Sequence, residues 1–179
     1  LKEKLRQALS STVRVISDDF KVKDDFTKDK DTNKLDSFEI DSLSDPTDFI
    51  RLRAESDSSA LKKKFSDKEI FKKNTPLNSS ARFLYTVAEK VRYELLGCKM
   101  LKGIEKNLHK NYNHLISIKK KEQLKSKEDV SVNEAFEIYM LKHFHNIQLN
   151  SLSSKMLSYW EKDFDQSIKE HLKFLKENL

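Results

Sequence analysis

Residues 81–108 read ARFLYTVAEKVRYELLGCKMLKGIEKNL and lie in the longest periodic segment of the chain. Apolar residues recur there at helical spacing, first as one stripe and then as a second stripe turned about 100° around the axis. The first stripe consists of Leu84, Val87, Val91, Leu95 and Cys98. The second consists of Leu101, Ile104, Leu108, Tyr112 and Leu115. We therefore expect one long helix, which either bends near Gly97 and Gly103 or packs its two halves on different neighbours.

Four further segments show helical periodicity or helix-capping residues. They are residues 2–17, a segment from Asp45-Pro46 to about Ser66, a helix opened by the capping box Ser131-x-x-Glu134, and a last helix from about Ser154. An Asp before a Pro is typical of a helix start, because proline is well tolerated in the first turn. With the long helix, these segments predict about five helices.

Residues 20–44 have a different pattern. Phe20-Lys-Val22 and Phe38-Glu-Ile40 alternate apolar and polar residues on either side of a stretch rich in Asp and Lys. Such alternation predicts a short β-hairpin. Residues 117–130 are rich in lysine with little apolar periodicity and are expected to form an exposed connection. The predicted fold is mainly α, a single helical bundle over residues 1–179 with a hairpin insertion near its N-terminus.

Composition excludes several classes of protein. Only two Gly and two Pro occur in 179 residues, too few for most glycine-rich phosphate loops or turn-dense β folds. The single cysteine, Cys98, excludes an internal disulfide and any Cys-x-x-Cys zinc pattern. No apolar run approaches the roughly 18 residues of a membrane span. We expect a cytoplasmic protein that does not enter a membrane.

Positive charge is concentrated after residue 60. Residues 1–60 carry 11 basic and 14 acidic side chains, whereas residues 61–179 carry 24 and 15. Within the basic part, one helical stripe, called here the lysine stripe, consists of Lys99, Lys102, Lys106 and Lys110. Such a stripe could bind an acidic protein surface or a polycarboxylate ligand, or simply face solvent. Only 6 of the 35 basic residues are arginine, so nucleic acid is not the expected partner.

Candidate metal ligands are sparse. Asp29-x-Asp31-x-Asn33 matches the first half of a calcium-binding loop, but Lys34 stands where the sharp turn needs glycine. His143 and His145 would point to different sides of a helix, unlike the i, i+4 pair of a zinc site, and are expected to be surface residues. We therefore expect no metal site and no catalytic residue in this chain.

Two stretches resemble one protein family. The first is Arg92-x-Glu94-x-x-Gly97-x-x-x-x-x-Gly103-x-x-x-Asn107-Leu108, and the second is Asp57-Ser58-x-Ala60-Leu61-Lys62-x-Lys64-x-x-Asp67. Both are similar to the N-terminal region of CobT, a subunit of the aerobic cobaltochelatase. The resemblance covers about residues 49 to 175. It makes five residues candidates for a partner-binding or structural role: Arg92, Glu94, Gly97, Gly103 and Asn107.

The resemblance implies a function. Aerobic cobaltochelatase inserts Co²⁺ into hydrogenobyrinic acid a,c-diamide at the expense of ATP, with a large subunit that holds the corrin, an AAA+ ATPase and CobT as adaptor. Family members end in a von Willebrand factor A domain whose Asp-x-Ser-x-Ser motif binds Mg²⁺, a domain expected beyond residue 179. Here Asp41-Ser-Leu-Ser-Asp45 only imitates that motif, because Leu43 replaces a serine.

Three hypotheses follow for the function. In the first, the chain is a non-catalytic adaptor domain without its own cofactor, which binds the AAA+ ATPase and the large subunit and could form a homo-oligomer. The partner subunits then handle cobalt and ATP. In the second, it is a basic helical module that binds protein or nucleic acid and has no link to cobalt chelation. In the third, the lysines bind the carboxylates of the corrin directly.

Overall fold

The structure, a computed structural model, describes residues 2–19, 45–119 and 124–179. These residues form eight α-helices and one short 3₁₀ helix, Lys127–Asp129, and contain no strand. The α-helices are α1 (Lys2–Ser17), α2 (Pro46–Phe65), α3 (Lys68–Asn74), α4 (Ser79–Met100), α5 (Lys102–Ile118), α6 (Val132–Phe144), α7 (Ser151–Ser158) and α8 (Glu161–Glu177).

The expected fold class needs correction. The prediction of about five helices is wrong, since the described residues alone contain eight α-helices. The predicted addition of a β-hairpin is not supported either, because the described residues include no strand. The segment predicted as a β-hairpin, residues 20–44, lies outside the described residues. What the structure shows is an all-helical arrangement.

The expected long bent helix is two helices. Leu101 has an extended backbone, with φ −142° and ψ 115°, and both ends α4 and precedes α5. Its N–H still donates to the carbonyl of Gly97 at 2.9 Å, and its carbonyl accepts from Ile104 at 3.0 Å. The shift of the apolar stripe therefore marks a complete break after Met100, and the two helices pack on one another and on α2.

Two other boundaries also differ from the prediction. The last predicted helix is interrupted at Tyr159 and Trp160, where the indole Nε1 of Trp160 donates to the carbonyl of Val130 at 3.1 Å. Helix α3 was not predicted, because none of its residues is buried and it carries no apolar stripe. Its start is nevertheless capped, since the carboxylate of Asp67 accepts from the N–H groups of Glu69 and Ile70.

Other helix starts were predicted well. Helix α1 has the predicted bounds, and α2 begins at Pro46 with the Asp45 carboxylate accepting from the N–H of Thr47 at 2.9 Å. Helix α6 begins directly after Ser131, although the side chain of Ser131 makes no capping hydrogen bond. Capping residues in the sequence therefore predict helix starts correctly, whereas they do not predict where a helix is interrupted.

The core forms where α2 packs on α1, α4 and α5, and where α4 packs on α6. Helices α7 and α8 also pack on α6. The largest completely buried apolar side chains are Leu9, Leu52, Leu61, Leu108, Ile138, Met140 and Leu157. Leu124 and Val130 are buried as well, so the expectation that residues 117–130 are exposed is wrong at these two positions. No helix in the described ranges is long and apolar enough to cross a membrane.

Candidate functional site

The two family-like stretches pack against each other. Four of the five motif residues contact one side of α2, at a junction called here the α2–α4 seam. The seam consists of Asp57, Ser58, Leu61 and Phe65 of α2, Arg92, Glu94 and Gly97 of α4, and Asn107 of α5. The sequence resemblance had placed these residues in two separate segments, and the fold brings them into one contact surface.

Glu94 is the centre of the seam and is completely buried. Its Oε1 accepts a hydrogen bond from the Ser58 hydroxyl at 2.6 Å, and its Oε2 accepts one from the Tyr112 hydroxyl at 2.6 Å. The Nε2 atom of His145 lies 3.2 Å from the same Oε2. One carboxylate therefore connects α2, α4, α5 and the C-terminal end of α6. Glu94 and its partners Ser58, Tyr112 and His145 are called here the hub.

Electrostatics favour the charged form of Glu94. Burial alone would raise the pKa of this carboxyl, but contacts with His145 and Ser58 and the charge of Lys90 lower the pKa below its ordinary value of 4.5. Tyr112 responds in the opposite direction, since burial and the neighbouring carboxylate raise the pKa of its hydroxyl. At neutral pH the seam thus contains a buried anion held by two hydroxyl donors.

His145 completes this group and is only 1% exposed. Neither of its ring nitrogens makes a well-aligned hydrogen bond to a described residue, so the 3.2 Å contact with Glu94 is ionic when the ring is protonated. The ring also lies 5.1 Å from the Tyr112 ring, measured between centroids. The expectation that His145 is a surface residue is wrong, because α6 ends with this side chain turned into the core.

A second buried carboxylate lies beside the hub. Asp57 is 2% exposed, and its Oδ2 accepts from the Asn107 side-chain amide at 2.7 Å. Burial raises the pKa of Asp57, while the bond from Asn107 and the charge of Arg53 act against that rise. This contact joins α2 to α5 and accounts for the Asn in the motif.

Arg92 joins α4 to the last turn of α2. Its Nε and one terminal nitrogen donate to both carboxylate oxygens of Glu89, at 2.7 and 2.8 Å. The same terminal nitrogen donates to the Phe65 carbonyl at 2.7 Å, an acceptor left open at the end of a helix. Hydrogen bonds from Arg92 and Ser66 lower the pKa of Glu89 against the effect of its burial. Arg92 and Glu94 therefore have separate partners and do not form an ion pair with each other.

We expect Arg92→Lys to lower the free energy of unfolding by about 1–2 kcal/mol, because an ammonium cannot replace a planar group that donates in three directions. Urea denaturation measures the change. Arg51→Lys is the matched control, since Arg51 pairs with Glu55 on the exposed surface of α2 and should change stability by less than about 0.5 kcal/mol. Equal losses in both variants would contradict the assigned role of Arg92.

The two glycines have different surroundings. A Cβ atom placed on Gly97 would lie 2.4 Å from both Cδ atoms of Leu61, so only glycine lets α4 approach α2 this closely. A Cβ atom on Gly103 would meet nothing within 4 Å. Gly97 is thus a packing residue of the seam, whereas no contact in the structure explains Gly103.

The lysine stripe lies on the surface of α4 and α5. Lys102, Lys106 and Lys110 are exposed along α5, and Lys99 is exposed in the last turn of α4. Met100 and Leu101, between the two helices, are 39% and 48% exposed. The stripe therefore borders an exposed apolar corner at the α4–α5 junction.

Only part of the hub can be recognised from the sequence. In the sequence, Ser58 lies in the second family-like stretch, Tyr112 belongs to an apolar stripe, and His145 is expected at the surface. Only the fold shows that all three meet Glu94, since they lie 36, 18 and 51 positions away in the chain. The described residues contain no cluster of three or more His, Cys, Asp or Glu side chains suited to a metal ion. The calcium-loop fragment, residues 29–33, is outside them.

The fold and the seam define a class: an all-helical protein, over its described residues, in which buried polar side chains join helices and a basic surface faces outward. Within this class the family can be stated. A family described as cobalamin biosynthesis protein CobT matches residues 2–179, and the chain belongs to it. Membership of this family implies involvement in cobalamin biosynthesis. Comparisons with curated proteins and with solved structures found no match.

Proposed function

We propose that this chain is a non-catalytic adaptor domain of a cobaltochelatase subunit. It supports ATP-dependent cobalt insertion into hydrogenobyrinic acid a,c-diamide by binding an AAA+ ATPase subunit and the large chelating subunit. Family membership supports a role in this pathway. The residues that resemble the family are then needed to hold the domain together and to present its surface to these partners.

One observation carries the proposal. The polar motif residues Arg92, Glu94 and Asn107 all form hydrogen bonds between or within helices. The lysine stripe, in contrast, is exposed beside the apolar corner of Met100 and Leu101. A surface that combines positive charge with exposed apolar side chains suits an acidic protein partner, because charge steers the encounter and apolar burial stabilises the complex.

The test measures binding of the chain to the ATPase subunit by sedimentation velocity or surface plasmon resonance. Reversing the lysine stripe to glutamate at all four positions should weaken binding by at least about tenfold and reduce the dependence of association on salt. The control variant reverses four exposed lysines on another surface, Lys62, Lys68, Lys72 and Lys73. It makes the same change in net charge and should bind like the wild type.

Different outcomes contradict different parts of the proposal. No complex at micromolar concentrations of both proteins would count against the adaptor role. Equal weakening by both charge variants would mean that bulk charge, rather than the lysine stripe, drives binding. Tight binding of the chain to DNA that disappears as salt rises would reflect the same bulk charge.

A further inference from the structure

A groove opens at the end of the lysine stripe, where α4, α5, α6 and the C-terminal end of α8 approach one another. Its volume is about 330 Å³. Leu95, Cys98, Phe144 and Leu179 supply apolar lining, and Lys99, Lys176 and Glu105 supply the charged side chains. Because ligand pockets commonly measure about 300–1,000 Å³, this groove suits one or two large side chains better than a macrocycle.

The charges at the groove are unequal. Among the charged side chains that line the groove, two are lysines and one is a glutamate, and Lys99 also begins the lysine stripe, so positive charge continues from the groove along α5. The ammonium of Lys176 lies 5.1 Å from the centroid of the Phe144 ring and covers part of the apolar lining. Met100 and Leu101 extend the exposed apolar surface next to Lys99. An occupant should therefore carry an apolar side chain with negative charge on either side of it.

We propose that this groove is the anchor point for a partner segment in which a large apolar side chain is flanked by carboxylates. The apolar side chain enters between Leu95, Cys98 and Phe144, and the carboxylates pair with Lys99 and Lys176. This inference rests on the proposed adaptor function, since it names the kind of segment that the partner subunit would present. It assigns a specific cavity to the binding surface, which the proposed function defines by the lysine stripe and the apolar corner alone.

A synthetic peptide tests the groove without any partner subunit. The probe is a fluorescein-labelled helical peptide with leucines on one face and glutamates beside them, and the control peptide has lysines in place of the glutamates. The chain should bind the acidic peptide and not the basic one. The double variant Lys99→Glu, Lys176→Glu should weaken binding at least about tenfold, because both rim charges become repulsive. Lys68→Glu, Lys72→Glu on α3 is the matched control and should leave binding unchanged.

Cys98 supplies a second, local readout. It is the only cysteine, and burial raises the pKa of its thiol to about 12, so it should react slowly with iodoacetamide. Bound acidic peptide should slow that reaction further, as followed by intact mass. Cys98→Trp should fill the groove and abolish peptide binding. Failure of the wild type to bind, or unchanged binding in the rim variant, would overturn the proposal.

The same variants separate this inference from the adaptor role. If the ATPase subunit binds and the rim variant weakens the complex, the groove is confirmed as the anchor point. If the ATPase subunit binds the rim variant as tightly as the wild type, but not a variant reversed at Lys102, Lys106 and Lys110, the groove proposal is wrong and the adaptor role stands. If the acidic peptide occupies the groove while the ATPase subunit does not bind at all, the adaptor role fails and the groove stands as a binding site.

Discussion

Glu94→Ala should lower the free energy of unfolding by about 3–5 kcal/mol, the loss expected when one member of a buried charged network is removed. The variant leaves the hydroxyls of Ser58 and Tyr112 without their acceptor and leaves His145 without its charged neighbour. It also opens a cavity at the meeting point of four helices. Chemical denaturation monitored by circular dichroism measures the loss.

The control for this variant is Glu170→Ala, on the exposed surface of α8. A surface substitution of this kind should change stability by less than about 0.5 kcal/mol. Glu94→Gln retains the shape of the side chain and should fall between Glu94→Ala and the wild type. A loss below about 1 kcal/mol for Glu94→Ala, the size of one ordinary hydrogen bond, would contradict the role of Glu94 as the hub of the seam.

The pH dependence of stability gives a further readout of the same variant. The pKa of Glu94 is lower in the folded protein than its ordinary value of 4.5, so ionised Glu94 stabilises the fold fully above that pH. This contribution is lost as the pH falls through the lowered pKa of the folded state. The difference in stability between wild type and Glu94→Ala should therefore shrink as the pH falls below 4.5. A difference that grows in acid would contradict the direction of the pKa shift.

Gly97→Val should destabilise the protein by about 3 kcal/mol, at the upper end of what overpacking a core usually costs. The Cβ of the new valine would overlap both Cδ atoms of Leu61. Because Leu61 is completely buried, its side chain cannot move out into solvent. Thermal and urea denaturation measure the loss. The seam should separate, and the bond from Ser58 to Glu94 should weaken with it.

The chain contains its own control for this substitution. Gly103→Val makes the same chemical change at the only other glycine, where a Cβ meets nothing within 4 Å. Since valine and glycine differ little in helix propensity, stability should change by less than about 0.5 kcal/mol. Leu61→Ala should partly rescue Gly97→Val, with a coupling energy of about 0.5–3 kcal/mol between the two sites. Equal losses at the two glycines would show that helix propensity, and not contact with Leu61, explains Gly97.

The sequence predicted the helices that have strong local signals. Asp45 and Pro46 mark the start of α2 because both act within the first helical turn. The break at Leu101 has no such signal, since leucine is a good helix former and the interruption is decided by what α4 and α5 pack against. Helix α3 was missed for the opposite reason, because it buries none of its residues and so leaves no apolar period to detect.

The candidate site divides in the same way. Arg92, Glu94, Gly97 and Asn107 came from a resemblance, but their roles depend on atoms far away in the sequence. That Asn107 donates to Asp57 could be learned only from the fold, because the two residues are 50 positions apart. Gly103 shows the limit of reasoning from a motif, since the structure gives it no packing role.

The long spacing of the seam contacts has a consequence for the protein during its synthesis. Helix α2 leaves the ribosome well before α4 and α5. Ser58 and Asp57 can therefore form their hydrogen bonds only after Glu94 and Asn107, which are synthesised 36 and 50 residues later, have emerged. Contacts this distant in sequence close large loops and form late, which slows folding relative to bundles built from local contacts. A nascent chain that ends before Asn107 therefore exposes the apolar and polar side of α2 together, and its need for chaperones should end only when α5 has emerged.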